Sequence, residues 1–328
     1  MSSRAISITG RARGRAAGRP SQTGDRVLFA LCAFAGLVVA AALVEIVYQL
    51  VSNSSPAISR FGLGFLVHQD WNPNFGHMGA ATLIYGTAVS SLMALAIAGP
   101  LGISIAIYLS MLASPRVRGV VGPLVEMLAA VPSIIYGFWG LIVLVPFIHG
   151  IEPGLHTVLG WIPLFGPAQT TGLSIFTAGL VLTFMILPIV ASLSRDLFLT
   201  VPNELKEGAA ALGATQWEVI RGVVLPSTVS GITAAMVLAL GRALGEAIAI
   251  SFVIGDVSQI SRSLLKPGAT LAERIVNQFL GTSTNLQLAS LWYAGLVLLV
   301  IGLVTSLAAR LIARRFDVER SYAKAVAV

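Results

Sequence analysis

The chain has 328 residues, of which 56% are apolar and only 11% charged; its mean hydropathy is +0.86 and its formal net charge +7. Soluble domains carry about a quarter charged residues, so water cannot be what wets most of this surface, and the composition excludes a soluble protein in favour of one bathed in lipid. The lone cysteine, Cys32, rules out a disulfide framework and a cysteine-rich metal site.

A membrane-spanning helix needs about 20 apolar residues. Runs at 27–50, 80–112, 119–148, 173–199, 227–254 and 286–312 predict six such helices and an all-α membrane protein. The segment 1–26, holding Arg4, Arg11, Arg13, Arg15, Arg19 and Arg26, reads as a disordered basic tail. The run behind it is too long for the core of a cleavable signal, so the first helix stays attached. The six-span domain is expected at 27–316, with a short tail at 317–328.

Orientation follows from the basic residues between spans. With the N-terminus inside, the inner segments hold sixteen Lys and Arg residues and the outer ones only Arg60, Arg262, Lys266 and Arg274. Both termini are therefore expected in the cytoplasm. One basic residue, Arg242, falls within a span. The second run is longer than one crossing requires at 1.5 Å rise per residue, so it must tilt or protrude. Pro100, Pro123, Pro132 and Pro188 each remove a backbone donor that a neighbouring helix or water must compensate.

The first outer segment, 52–79, mixes aromatic and turn residues as an ordered loop would, with Trp71 and Phe75 as interface anchors. In the last outer loop Thr270 and Glu273 have capping-box spacing, and Leu271, Ile275 and Phe279 recur at helical intervals. They predict a short amphipathic helix on the outer face.

The loop 203–226 carries the strongest local signal. Asn203 can cap a helix, Glu204 suits its first turn, and Gly213 stands where a left-handed residue would end it. Thr215 and Glu218 then open a second short helix expected to stop before Pro226. Leu205, Ala209 and Leu212 form one stripe, and small alanines let another surface approach closely. By composition this hairpin serves equally as a partner surface or as a connection packed on its own chain.

Its spacing resembles the cytoplasmic coupling motif of the binding-protein-dependent ABC import permeases. Glu207 begins the motif, Gly213 follows at the family spacing, Val223 stands at the Ile position, and Leu225 and Pro226 close it. Gly208 replaces the family's first Ala, weakening the helix by about 1 kcal/mol. The resemblance implies a six-span, type I importer permease whose coupling residues Glu207, Ala209, Leu212, Gly213, Leu225 and Pro226 sit against a separate ATPase subunit. The sequence has no GxxxxGK[ST] phosphate loop, so ATP and Mg belong to the ATPase partners and no cofactor to this chain.

Arg242 and Glu246 are four residues apart, which on a helix puts them on one face. Gly241 and Gly245 leave that face open to close approach. A guanidinium donates two parallel hydrogen bonds to an oxyanion; the pair could equally satisfy itself structurally. The segments GRALGE (241–246), VPSIIYGFWGL (131–141) and DWNPNFG (70–76) resemble the PstC family of phosphate-specific import permeases. That resemblance implies phosphate as cargo and a location in a bacterial or archaeal plasma (inner) membrane. It also implies a PstA-like permease partner, two PstB-like ATPase subunits and an external PstS-like phosphate-binding protein. Within it, Arg242 and Glu246 are linked to phosphate passage.

Glu126, between Pro123 and Pro132, is a further buried acid expected in the inner third of its span, lining the pathway or holding a helix break. Asp196 with Arg195, and Asp256, fall at span ends. His68, His77, His149 and His156 are expected in outer loops without metal-ligand spacing. The rival readings are a permease of the same superfamily for sulfate or molybdate, and an ion-coupled secondary carrier. The carrier would have no use for the coupling loop.

Overall fold

A computed structural model describes residues 22–166 and 171–315. The helices, in order, are α1 (Gln22–Phe61), α2 (Ala81–Leu112), α3 (Pro115–Ala129), α4 (Ser133–Leu159), α5 (Ile175–Thr200), α6 (Asn203–Ala211), α7 (Gln216–Leu244), α8 (Leu271–Gln278) and α9 (Asn285–Arg315). Among the described residues α1, α2, α4, α5, α7 and α9 are long and apolar enough to cross a membrane, which makes six spans. The tail expected at 1–26 lies outside the described residues as far as 21, but from Gln22 the chain is already helical. The tail at 317–328 also lies outside them.

Among the described residues, 22–49 form a unit of their own, a helix whose side chains are exposed throughout 24–49, as lipid contact requires. In the second unit α5 is the most enclosed span. Its neighbour α2 turns toward it a face of small residues, with Ser90, Ala94, Ala98 and Gly102 all buried. A Cβ at Gly102 would press into Val190, and one at Gly179 into Met93. In lipid, where there is no escape from water to drive association, such backbone approach is what holds helices together.

Two boundaries differ from expectation. The run 119–148 is not one span: the chain breaks at Ala130 to Pro132, because the residue before a proline is driven out of helical geometry. The piece before the break, α3, is capped by Ser114 Oγ, which accepts from Val117 N at 3.5 Å. The span itself is α4. The fifth span is displaced the other way, toward the N-terminus. The helix opening at Gln216 does not stop at Pro226 but widens into a π turn at Ile220–Val224 and runs on to Leu244. Leu225 N donates to Ile220 O, so the register shifts where Pro226, lacking an N–H, could not have continued it. Pro146 follows the π turn Gly140–Leu144 in α4 in the same way.

The segment between α1 and α2 forms a two-residue hairpin, β1 (Trp71–Asn72) with β2 (His77–Met78). Trp71 is not an interface anchor. It is buried, and its Nε1 donates to Gln278 on α8 at 2.8 Å; Phe75 is exposed.

Candidate functional site

At one end of the molecule α6 and the start of α7 form a protruding hairpin. Pro202 rather than Asn203 stands at the N-cap and supplies no side-chain cap. The turn is the expected one: Gly213 has φ +88°, its amide donates to Ala210 O, and Ala214 N donates to Ala209 O at 3.2 Å, the paired bonds of a Schellman motif. Thr215 accepts from Glu218 N while the Glu218 carboxylate accepts from Thr215 N at 2.7 Å, so the next helix opens with a full capping box. Ala209, Ala214 and Leu225 pack against the core that includes Phe198, Val219 and Val224. Glu207, Gly213 and Pro226 are exposed, and Leu212 is 91% exposed at the tip. Alanine on the inner side and leucine on the outer side make this a surface built inward for support and left apolar outward.

At the opposite end of α7 stand Arg242 and Glu246. The helix ends at Leu244, and Gly245 caps it at φ −90° and ψ 0°. Glu246 therefore does not share a helical face with Arg242, and no ion pair joins them. Its Oε1 instead accepts from Ala249 N at 3.0 Å, starting the one-turn helix Ile248–Ser251. Arg242 is exposed and lines an open groove of about 740 Å³ together with Thr233, Gly241, Ser306 and Arg310. The guanidinium is thus not paired with the carboxylate that sequence spacing would have given it, and it stands exposed in the groove lining. Arg310 from α9 adds a second positive charge to the lining.

The segment 131–141 meets this region. A Cβ on Gly137 would collide with Ala249, Phe138 and Phe252 stack edge to face at 6.5 Å, and Tyr136 lies within the electrostatic reach of Arg242. Tyr136 donates to Leu128 O at 2.8 Å, bridging the break between α3 and α4.

Glu126 is not a buried acid within a span. The break at Pro132 puts it on α3, 53% exposed, where it pairs with Arg195 of α5 at 2.7 Å; Asp196 pairs with the same guanidinium at 3.0 Å. His149 and His156 fall within α4, not in a loop. His149 stands 4.0 Å from Glu152, a buried acid to which sequence reading gave no weight because its helix partners are not visible in local pattern.

A polar cluster that the sequence did not reveal lies beyond α7. Arg274 of α8 pairs with Asp256 at 2.7 Å, donates to Ser258 Oγ at 3.0 Å, and lies under the Trp71 ring, 5.7 Å from its centroid. Glu273 beside it is fully buried. The expected capping box of Thr270 and Glu273 is present in α8 and Leu271 and Ile275 turn toward the core as expected, while Phe279 stays exposed and Glu273 and Arg274 are buried as well. Its capping spacing was a legible signal; the burial was not, because it depends on Asp256.

The sequence signature described as "binding-protein-dependent transport system inner membrane component" matches residues 98–318. The phosphate transport system permease protein PstC of Pasteurella multocida is 43% identical over 288 residues, covering 87% of this chain and 90% of the relative. The PstC of Mesorhizobium japonicum is 42% identical over 299 residues, covering 89% and 91%. Among solved structures, a chain of a bacterial alginate ABC transporter, crystallised with an alginate pentasaccharide-bound periplasmic protein, superposes with TM-score 0.52 at 19% identity, covering 86% of this chain and 95% of that one. That likeness gives the fold, an ABC importer permease. A multi-pass membrane protein of this fold, matched along most of its length by permease subunits of one transport system, belongs to the PstC family of the binding-protein-dependent inner membrane transport components.

Proposed function

We propose that the chain is the permease subunit of an ATP-driven phosphate importer, forms half of the translocation pathway, and takes its power stroke from separate ATPase subunits. The observation that carries the coupling is the α6 hairpin, rigid at its Schellman turn and capping box and apolar at its exposed tip, Leu212. A leucine nearly all exposed at the end of a braced loop suits a partner's groove.

The cargo reading rests on the PstC relatives and on Arg242. A permanently charged, planar donor on the wall of an open groove suits a tetrahedral oxyanion. Glu246 acts one step removed, by fixing the backbone that follows Arg242. Glu126 is assigned to an ion-pair clamp between α3 and α5, at the hairpin end of the molecule, rather than to contact with the anion. With the hairpin in the cytoplasm both termini are cytoplasmic, as the distribution of basic residues favours. The partners that complete the importer in this reading are a PstA-like permease, two PstB-like ATPases, where ATP and Mg are bound, and a PstS-like phosphate-binding protein.

Uptake of labelled phosphate by cells depending on this importer tests the cargo. Excess sulfate or molybdate should leave it unchanged; equal competition by either would replace phosphate as the cargo.

A further inference from the structure

Between Ser251 and α8 the chain runs through Phe252 to Thr270 without regular structure, yet it is pinned on every side. Ser174 N donates to Val253 O, Ile175 N to Lys266 O, Phe176 N to Leu264 O, and Tyr85 Oη to Ser261 O. Its two arms are joined by Val257 N to Gly268 O and Gly268 N to Ile254 O, both 3.0 Å. The Ala269 backbone sits so close to α2 that Gly86 has no room for a Cβ. This segment is a wedge between α2 and α5, continuous with the end of α7 that carries Arg242 and Glu246.

One side-chain cluster closes the wedge. Asp256, at φ +49°, is the one non-glycine residue with positive φ among the described residues, a conformation uncommon for L side chains that Asp tolerates better than most. Its carboxylate is held by Arg274, itself only 5% exposed in its side chain. Glu273 shares a hydrogen bond with Asp256, and its other contacts are Asn277 Nδ2, donating at 2.7 Å, and Thr270 N, donating at 3.2 Å. Of the elements packed on α8, α2 offers the Thr87 hydroxyl, which accepts from Leu271 N, α9 meets Ile275 at Gly295, and Ile248–Ser251 has no ionisable group, while the β1–β2 hairpin, whose Trp71 packs on Arg274 and Gln278, brings Asp70 and His77 to the groove that Ser258 lines. One buried cation thus faces two carboxyl groups, Glu273 fully buried and Asp256 at the exposed edge with 40% of its side chain accessible.

We propose that Asp256, Glu273 and Arg274 are positioning residues for transport, forming the latch that holds the wedge closed over the outer end of α7 and releases it when the pathway opens outward. The latch is stable when Glu273 is neutral and donates its proton to Asp256, leaving one anion for one cation. Ionised, Glu273 puts a second negative charge, itself buried, beside the partly exposed Asp256 carboxylate. Burial first, and then the Asp256 charge, push the Glu273 carboxyl up to about 7, so the change falls in the physiological range.

The latch rests on the transport reading for its role, but its test reads accessibility in the assembled complex and needs no transport, so the two can fail separately. In a transporter whose only cysteine replaces Ser263, buried in the wedge, labelling by a membrane-impermeant maleimide is followed from about pH 5.5 to 8.5, with and without Glu273→Gln. The ratio of the two rates cancels thiol ionisation. It should be near one at the acid end and rise about threefold or more as pH passes about 7. Asp256→Asn should speed labelling about threefold at the acid end, where the parent latch is closed, and little above about pH 7; if that variant does not assemble, the Glu273→Gln ratio alone decides. A ratio flat with pH overturns the latch, as does Asp256→Asn labelling at the parent rate at the acid end.

Discussion

Ala249 donates its backbone N–H to Glu246 Oε1 at 3.0 Å, which fixes the chain just past the end of α7 and leaves Arg242, one turn earlier, free of a carboxylate partner in the groove. The two residues therefore separate experimentally. Arg242→Ala should abolish uptake with the complex fully assembled, since the substitution removes an exposed side chain and no packing. Glu246→Gln keeps an oxygen to accept from Ala249 and should retain uptake within a few-fold, whereas Glu246→Ala loses the cap, worth about 1 kcal/mol. Equal loss in the Gln and Ala variants would assign Glu246 a charge role in the pathway instead.

At the other end, Gly213 has φ +88° with open space around its missing Cβ. Strain rather than collision is what a side chain adds there. Gly213→Val should cost about 1–2 kcal/mol locally and reduce coupled ATP hydrolysis, measured as stimulation by the loaded binding protein. Wild-type stimulation in that variant would remove the Schellman turn from the coupling mechanism.

Leu212 makes the complementary case, because 91% of it is exposed among the described residues. Leu212→Asp should leave the thermal stability of the isolated chain within about 0.5 kcal/mol while the ATPase subunits are lost on gentle detergent extraction. Retention of those subunits at wild-type stoichiometry would show that the tip is not the docking surface.

The Glu273 carboxyl also makes stability depend on pH. Its folded-state pKa is raised to about 7 from the ordinary carboxylate value of 4.5, so the folded state binds the proton more tightly than the unfolded one. The stabilising contribution is full below about pH 4.5 and is lost as pH rises through about 7, with a total on the order of 3 kcal/mol. Glu273→Gln should flatten the unfolding midpoint across that window; an unchanged slope would mean that another group titrates.

The six spans were legible because hydropathy over 20 residues records lipid contact, and the hairpin because capping spacing and Gly213 are local chemistry. The break before α4 was not, since α3 is apolar enough to merge with the run that follows and only Pro132 separates them. The same holds at Pro226, where a π turn converts a stop signal into a continuation. Arg242 and Glu246 were found by their rarity in an apolar run, but their relation was misread because Gly245 ends the helix between them. The Asp256, Glu273 and Arg274 cluster was hidden for a different reason: burial of Arg274 depends on a partner 18 residues away, across an irregular segment with no periodicity to read.

In the proposed importer the six-span chain is driven by separate ATPase subunits through its α6 hairpin. The most direct measurement is phosphate flux into sealed vesicles holding this chain and its permease partner, with and without the ATPase subunits, ATP and the loaded binding protein. Flux is expected only when all are present, and Leu212→Asp should abolish it. Phosphate entry into vesicles holding the permease chains alone, without nucleotide, would contradict the account.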